Sequence, residues 1–228
     1  MIKGDSINEI IQKVCKLLLR QGHSIEPRGL KTLELSNFNI ELKYPERSIC
    51  TLPNRKLSKK YLHAELNWYK SGELHIAKIR RFSSMWDKLA DDYGYVNSNY
   101  GYWAKIHTND DNISQWEWCK KELTKDRNSR RAVINYNQVD HKYWDVKDFP
   151  CTMFQQFYIR NEKLYSTVCM RSNDLIYGFC YDVPYFTLLQ RELAQKLGCK
   201  VGSYRHFATS MHVYERHFEM ITKIAKEI

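Results

Sequence analysis

Chemistry-bearing side chains crowd into one stretch, Asp148 to Asp182, DFPCTMFQQFYIRNEKLYSTVCMRSNDLIYGFCYD. Cys151 directly follows a proline, Arg171 and Ser172 stand side by side, and Asp174 and Asp182 follow. A thiolate is the nucleophilic form of cysteine, and a guanidinium beside a hydroxyl binds phosphate. Carboxylates accept or supply protons. In this order the residues suit attack by a cysteine on a phosphorylated substrate. The same stretch also reads as a buried hairpin around an ordinary core cysteine, the commoner fate of a lone thiol.

Two alternating runs joined across Arg160–Lys163 must position these groups. Asp182, just ahead of Val183-Pro184, reads as the N-cap of a helix to Leu197 that Gly198 ends. Upstream, Ser6 to Arg20 is an amphipathic helix, capped by Ser6 with Glu9 three residues on and stopped by Gly22. The loop HSIEPRG carries Arg28, which on its own would most often be solvated. LKTLELSNFNIELKY then predicts strands with a turn near Ser36-Asn37. A second helix, Leu57 to Ser71, ends at Gly72 and sets Glu65 among Tyr61, Leu66, Trp68 and Tyr69. Apolar surroundings of that kind raise a carboxyl pKa and suit it to proton transfer, although an exposed helical glutamate is the usual case.

A short helix over Phe82–Asp92 holds Trp86 and Asp87, and YGYVNSNYGYW holds Tyr100. Ile113 to Lys125 predicts a third helix, after which Arg130-Arg131 enter the strand RAVINYN. Paired arginines are usually solvated, yet their forked donors are also the favoured phosphate ligand. His212 and Tyr214 alternate onto one face of a final strand, before a closing helix to Ile228. Neither has metal-ligand company, and no metal site is expected.

The 228 residues, 43% hydrophobic and 14% aromatic, suit a single domain spanning 1–228. No apolar run approaches a membrane span, and MIKGDSINEI lacks the apolar core of a signal peptide. Seven cysteines without a CxxC pair point to reduced thiols, so a cytoplasmic location is expected rather than a disulfide framework. The net charge of +10 attracts anions. The basic residues are spread out, with only short clusters such as Lys59-Lys60 and Arg80-Arg81. Most of these charges therefore read as solvated surface, and nucleic acid is not the expected partner.

Several motifs occur in a fixed order between about Arg28 and His217: HAELNWYKSG, Trp86-Asp87, PCxxxxQF at Cys151, RSxD at Arg171–Asp174, and His-x-Tyr at 212 and 214. The set resembles the thymidylate synthase and deoxycytidylate hydroxymethylase family. The resemblance implies an α+β fold, a large twisted and mostly antiparallel sheet with helices on one face and a homodimer formed through the other. It implies that Cys151 adds to C6 of a pyrimidine nucleoside monophosphate, making C5 a nucleophile. Glu65 would order water and relay protons, and Tyr100 would line the pocket. Arg28, Arg171 and Ser172 would hold the phosphate, with Arg130 and Arg131 reaching across to the neighbouring subunit's site. His212 and Tyr214 would bond the sugar 3′-hydroxyl. Asp174 and Trp86 would contact folate, making 5,10-methylenetetrahydrofolate the one-carbon donor.

Asp182 stands where thymidylate synthases carry an asparagine. An asparagine amide matches uracil; a protonated aspartate accepts from a 4-amino group and donates to N3, the cytosine pattern. The expected substrate is therefore dCMP. Thr152 stands in place of the family's usual histidine, Leu89 in place of a tryptophan, and the chain ends soon after His217. A less sealed site favours capture of the C5 methylene by water, so the expected product is 5-hydroxymethyl-dCMP. The alternatives are a methylase or hydroxymethylase of dUMP or CMP, and a non-catalytic nucleotide- or RNA-binding relative.

Overall fold

A computed structural model describes residues 1–227. In chain order the elements are β1 (Ile2–Gly4), α1 (Ile7–Gln21), β2 (His23–Ile25), β3 (Thr32–Leu42), α2 (Lys59–Ser71), α3 (Met85–Leu89) and α4 (Gln115–Lys125). They continue with β4 (Val133–Asn135), β5 (Thr152–Arg160), β6 (Lys163–Met170), β7 (Asn173–Asp174), α5 (Phe179–Lys196), β8 (Lys200–Tyr214) and α6 (Phe218–Ile224). The closing helix thus ends earlier than expected, and its expected terminus, Ile228, lies outside the described residues.

The backbone forms two compact units, one of Met1–Leu57 with the chain from Ile159 on, the other Ser58–Tyr158. The first unit is built on a mixed sheet. β1 runs parallel to β3, β3 antiparallel to β8, and β8 parallel to β6, with β2 antiparallel on β3 and β7 parallel on β8. Helix α1 packs on β3 and α6, and α5 packs on β6 and β8. The buried side of α1 is Ile7, Ile10, Ile11, Val14, Cys15 and Leu18, the spacing of one helical face. Ser6 accepts from the Glu9 backbone N–H, while the Glu9 carboxylate accepts from Asp5 N–H at 2.7 Å. Fully buried Gln190 ties α5 to the strands by donating to the carbonyls of Leu164 and Gly202.

Two local expectations give way to tertiary structure. The turn near Ser36-Asn37 is absent, and β3 is one continuous strand. Asn37 leaves the ladder at φ 52°, yet Ser36 still faces Ser210 and Phe38 still faces Ala208. Pairing with β8 along both halves outweighs the turn signal, and asparagine tolerates the left-handed backbone better than most residues. Helix α5 begins at Phe179, so Asp182 is not its N-cap. Asp182 instead lies in the first turn and donates its own N–H to Gly178 O at 2.9 Å. Pro184, the sixth residue of the helix, lacks the N–H that would otherwise bond the Cys180 carbonyl.

The second unit holds α2, α3, α4 and the antiparallel pair β4–β5, registered by Ile134 against Gln155. Its interior is aromatic, with Trp68, Tyr69, Trp86, Tyr100, Trp103 and Tyr136 all buried. Ser58 caps α2 through Tyr61 N–H, and Gly72 closes it in the left-handed conformation, as expected. A Cβ on Gly101 would fall 1.6 Å from Tyr69 O, so only glycine lets the following turn approach α2.

Candidate active site

In the second unit Cys151 lies just ahead of β5 and is half-buried. Cys15 and Cys119 are fully buried, and desolvation pushes both thiols up to about 12, where they are inert as nucleophiles. Cys151 has the partial exposure that a reactive thiol needs. Thr152, which follows it, is buried and its hydroxyl has no hydrogen-bond partner among the described residues. Gln155 on β5 accepts from Tyr136 Oη at 3.2 Å.

Glu65 is buried on α2, as its neighbours in sequence imply. It accepts from Tyr61 Oη at 2.7 Å, and Tyr61 Oη accepts in turn from Trp86 Nε1 at 3.1 Å. The Trp86 ring sits edge-on to Trp68 with centroids 4.7 Å apart. A directed chain thus runs from indole N–H through phenol to carboxylate and holds Glu65 in one orientation. The role of Tyr61 was not read from the sequence. Its signal is the four-residue spacing to Glu65, which stacks the two side chains on one helix face.

Tyr100 is buried between two rings, stacked on Tyr69 at 5.4 Å and edge-on to Tyr136 at 5.2 Å. Arg130 and Arg131 are both exposed ahead of β4. Arg131 forms a forked pair with Glu122, Nε to Oε1 at 2.8 Å and Nη2 to Oε2 at 3.0 Å. This pairing, with Ser129 also donating to Glu122, holds the Glu122 carboxyl below its ordinary range.

In the first unit Arg28 is exposed in a tight turn, Pro27–Gly29, at φ 55°. Arg171 is exposed and Ser172 half-buried where the chain passes from β6 to β7. Asp174 accepts from Ile176 N–H at 2.8 Å through Oδ1, a local turn. Parallel pairing of β7 with β8 brings Asp174 opposite His212, which faces Glu34 on the other side. The His212 ring meets Tyr214 edge-on at 5.2 Å. Burial lowers the His212 pKa, with Asp174 opposing, which favours the neutral imidazole.

Asp182 is half-buried, and withdrawal of its carboxylate from water raises its pKa to about 7. Asn173 Nδ2 donates to Asp182 Oδ2 at 2.8 Å, which opposes the rise, and the charge of Asp174 adds to it. A carboxylic acid close to half protonated at neutral pH can donate as well as accept. The first unit therefore brings together Arg171, Ser172, Asp174, Asp182, His212 and Tyr214 around β7, β8 and the start of α5. The second holds Cys151, Glu65, Trp86, Tyr100 and the arginine pair. Among the described residues no group of three or more His, Cys, Asp or Glu side chains could hold a metal, and no helix is long and apolar enough to cross a membrane.

The sequence profile of thymidylate synthase matches residues 9–227. Deoxycytidylate 5-hydroxymethyltransferase of Enterobacteria phage T4 is 30% identical over 95% of this chain and 89% of its own length. Deoxyuridylate hydroxymethyltransferase of Bacillus phage SP01 is 28% identical over 92% of this chain and 58% of its own length. Among solved structures, thermostable thymidylate synthase A from Bacillus subtilis superposes with a TM-score of 0.79 at 21% identity, covering 97% of this chain and 84% of that one. A match over nearly the whole length, on an α+β fold that carries the motif residues in order, has one reading: the chain belongs to the thymidylate synthase family.

Proposed function

We propose that this one-carbon transferase converts dCMP to 5-hydroxymethyl-dCMP, with 5,10-methylenetetrahydrofolate as donor. The observation that carries the reading is Asp182, a carboxyl held near neutrality by burial, with a pKa of about 7. In its protonated form it donates to cytosine N3 and accepts from the 4-amino group. With the proton on the oxygen that faces N3, uracil would leave buried polar groups unmatched, a discrimination of up to ~10⁴-fold when the site is built around the bond. Relatedness to a dCMP hydroxymethyltransferase at 30% identity supports the same reading.

In this scheme Cys151 adds as thiolate to C6, which makes C5 able to take the one-carbon unit. Glu65, oriented by Tyr61, orders water and moves protons at the base. Arg28, Arg171 and Ser172 hold the phosphate, and Arg130 and Arg131 of a second copy complete it in a homodimer. His212 and Tyr214 take the 3′-hydroxyl. The folate supplies the methylene group; the Asp174 carboxylate fits a ring N–H donor. Trp86 is buried, with its N–H already given to Tyr61, so it would meet the folate by ring contact alone. Water captures the exocyclic methylene at C5. Leu89, a half-buried aliphatic residue in place of an aromatic one, favours that outcome by sealing the site less tightly.

A second reading, hydroxymethylation of dUMP, draws on the 28% identical deoxyuridylate enzyme. Tritium release from [5-³H]dCMP and [5-³H]dUMP with methylenetetrahydrofolate, with products identified by mass, separates the two. Release from dCMP with formation of 5-hydroxymethyl-dCMP is expected. Release from dUMP alone would assign the enzyme to uracil, and release from neither would favour a non-catalytic nucleotide binder.

A further inference from the structure

We propose that Asn173 fixes which oxygen of Asp182 can carry a proton, and thereby makes Asp182 selective for one pyrimidine edge. The proposal rests on the reading of Asp182 as the residue that meets the base. Asn173 is 3% exposed on β7, and its Nδ2 donates to Asp182 Oδ2 at 2.8 Å. Its own Oδ1 is buried with no hydrogen-bond partner among the described residues. An unpaired buried carbonyl is destabilising, so the side chain is not there for local stability alone. The site is also shaped to admit it: a Cβ on Gly178 would fall 2.8 Å from Asn173 Nδ2. Any other residue at 178 would push the amide off the carboxyl.

An amide nitrogen can only donate, so the oxygen facing it must remain an acceptor. In the neutral carboxyl that makes Oδ2 the carbonyl oxygen and Oδ1 the hydroxyl. A carboxyl free to exchange these roles would read both bases. With cytosine the hydroxyl meets N3 and the carbonyl meets the 4-amino group; with uracil the hydroxyl meets O4 and the carbonyl meets N3–H. The two placements put the proton on opposite oxygens. With the proton confined to Oδ1, only one of them is available, and the other sets donor against donor and acceptor against acceptor. Asn173 therefore supplies discrimination that Asp182 alone lacks.

The other ionisable groups that face Asp182 are Asp174 from β7 and Tyr204 from β8. Asp174 raises the Asp182 pKa by its charge, and the buried Tyr204 is itself held neutral by desolvation and by Asp182. Among the described residues, it is the Asn173 bond that favours the ionised form. Its removal must move the Asp182 titration upward.

The test uses the full chain, with Asn173→Leu as a near-isosteric apolar change and Asn173→Ser as a milder one whose hydroxyl can donate or accept. The Asp182 carboxyl is titrated by carbon NMR in the nucleotide-free protein, and kcat/KM is compared for dCMP and dUMP. In the leucine variant the Asp182 midpoint is expected to rise by about one unit, the equivalent of one hydrogen bond, and in the serine variant by less. The dCMP preference is expected to fall ~10-fold or more. In an Asp182→Asn background, where the amide atoms fix donor and acceptor, adding Asn173→Leu should change the preference by no more than about twofold. An unmoved titration overturns the proposal, as does a moved titration with unchanged preference. Absence of dCMP turnover by the unsubstituted enzyme would refute the base-reading role instead, and a midpoint that still shifts would mark that failure as separate from the Asn173–Asp182 link.

Discussion

Cys151, Glu65 and Asp182 show how far single residues can be read from their identities, and where neighbours take over. Asp182 was legible because one atom distinguishes it from asparagine and that atom reverses a hydrogen-bond pattern. Its protonation was not, since burial and the Asn173 bond arise only when β7 meets α5. Asn173 reads in sequence as an ordinary turn residue, and Tyr61 as one more aromatic on α2. The consequences are measurable. Replacing Cys151 by alanine should lower dCMP turnover by on the order of 10⁴-fold or more while nucleotide binding persists. Tyr61→Phe removes the phenol that joins Trp86 to Glu65. It should cut kcat roughly tenfold, the value of one bond to a carboxylate, with little change in nucleotide KM. For Asp182 the neutral form is the active one, so kcat/KM for dCMP should be level below about pH 7 and fall as the pH rises through it. A profile that instead climbs through pH 7 would show the ionised carboxylate to be the working form.

Elements were legible where signals are local and opaque where partners decide. Helices α1, α2 and α4 lie within a residue or two of their expected starts, because serine caps and amphipathic spacing are written in consecutive residues. Ser36-Asn37 is a good turn pair and predicts a divided β3; β8, far along the chain, holds it as one strand. β1 and β2 are three residues each and gain their identity only by pairing with β3. The connection from β5 to β6 is a two-residue turn with both residues left-handed, Asn161 at φ 49° and Glu162 at φ 58°. That geometry suits Asn-Gly and strains a side chain with a Cβ. Glu162→Gly should therefore stabilise the protein by ~1 kcal/mol, raising the melting temperature by ~2–4 °C in calorimetry. The Lys200 N–H bond to the Glu162 carbonyl belongs to the backbone and is retained. A melting temperature that drops would mean the glutamate side chain contributes more than its backbone costs.

At the scale of the molecule, the α+β class and the family were legible from ordered motifs, whereas the division into two units was not, because no linker composition marks Leu57 or Tyr158. The proposed homodimer has its own test. Cys151→Ala and an Arg130→Ala/Arg131→Ala double variant should each be inactive alone. Mixed in equal amounts and allowed to exchange subunits, they should recover about a quarter of full activity, since half the dimers then hold one intact site of two. No recovery would mean that the arginines serve their own subunit. Glu122 already holds Arg131 in a forked pair, so Glu122→Gln should weaken phosphate binding only to the extent that this pair orients the arginine. The division of the chain also carries a consequence in time. The second unit is one continuous run, synthesised in full by Tyr158, but β3 has its long partner only once β8 has been made. At ~5–20 residues per second the chain from Lys43 to Cys199 takes on the order of ten to thirty seconds to synthesise. For that interval β3 is an open edge with apolar residues on one side, the kind of surface that chaperones hold.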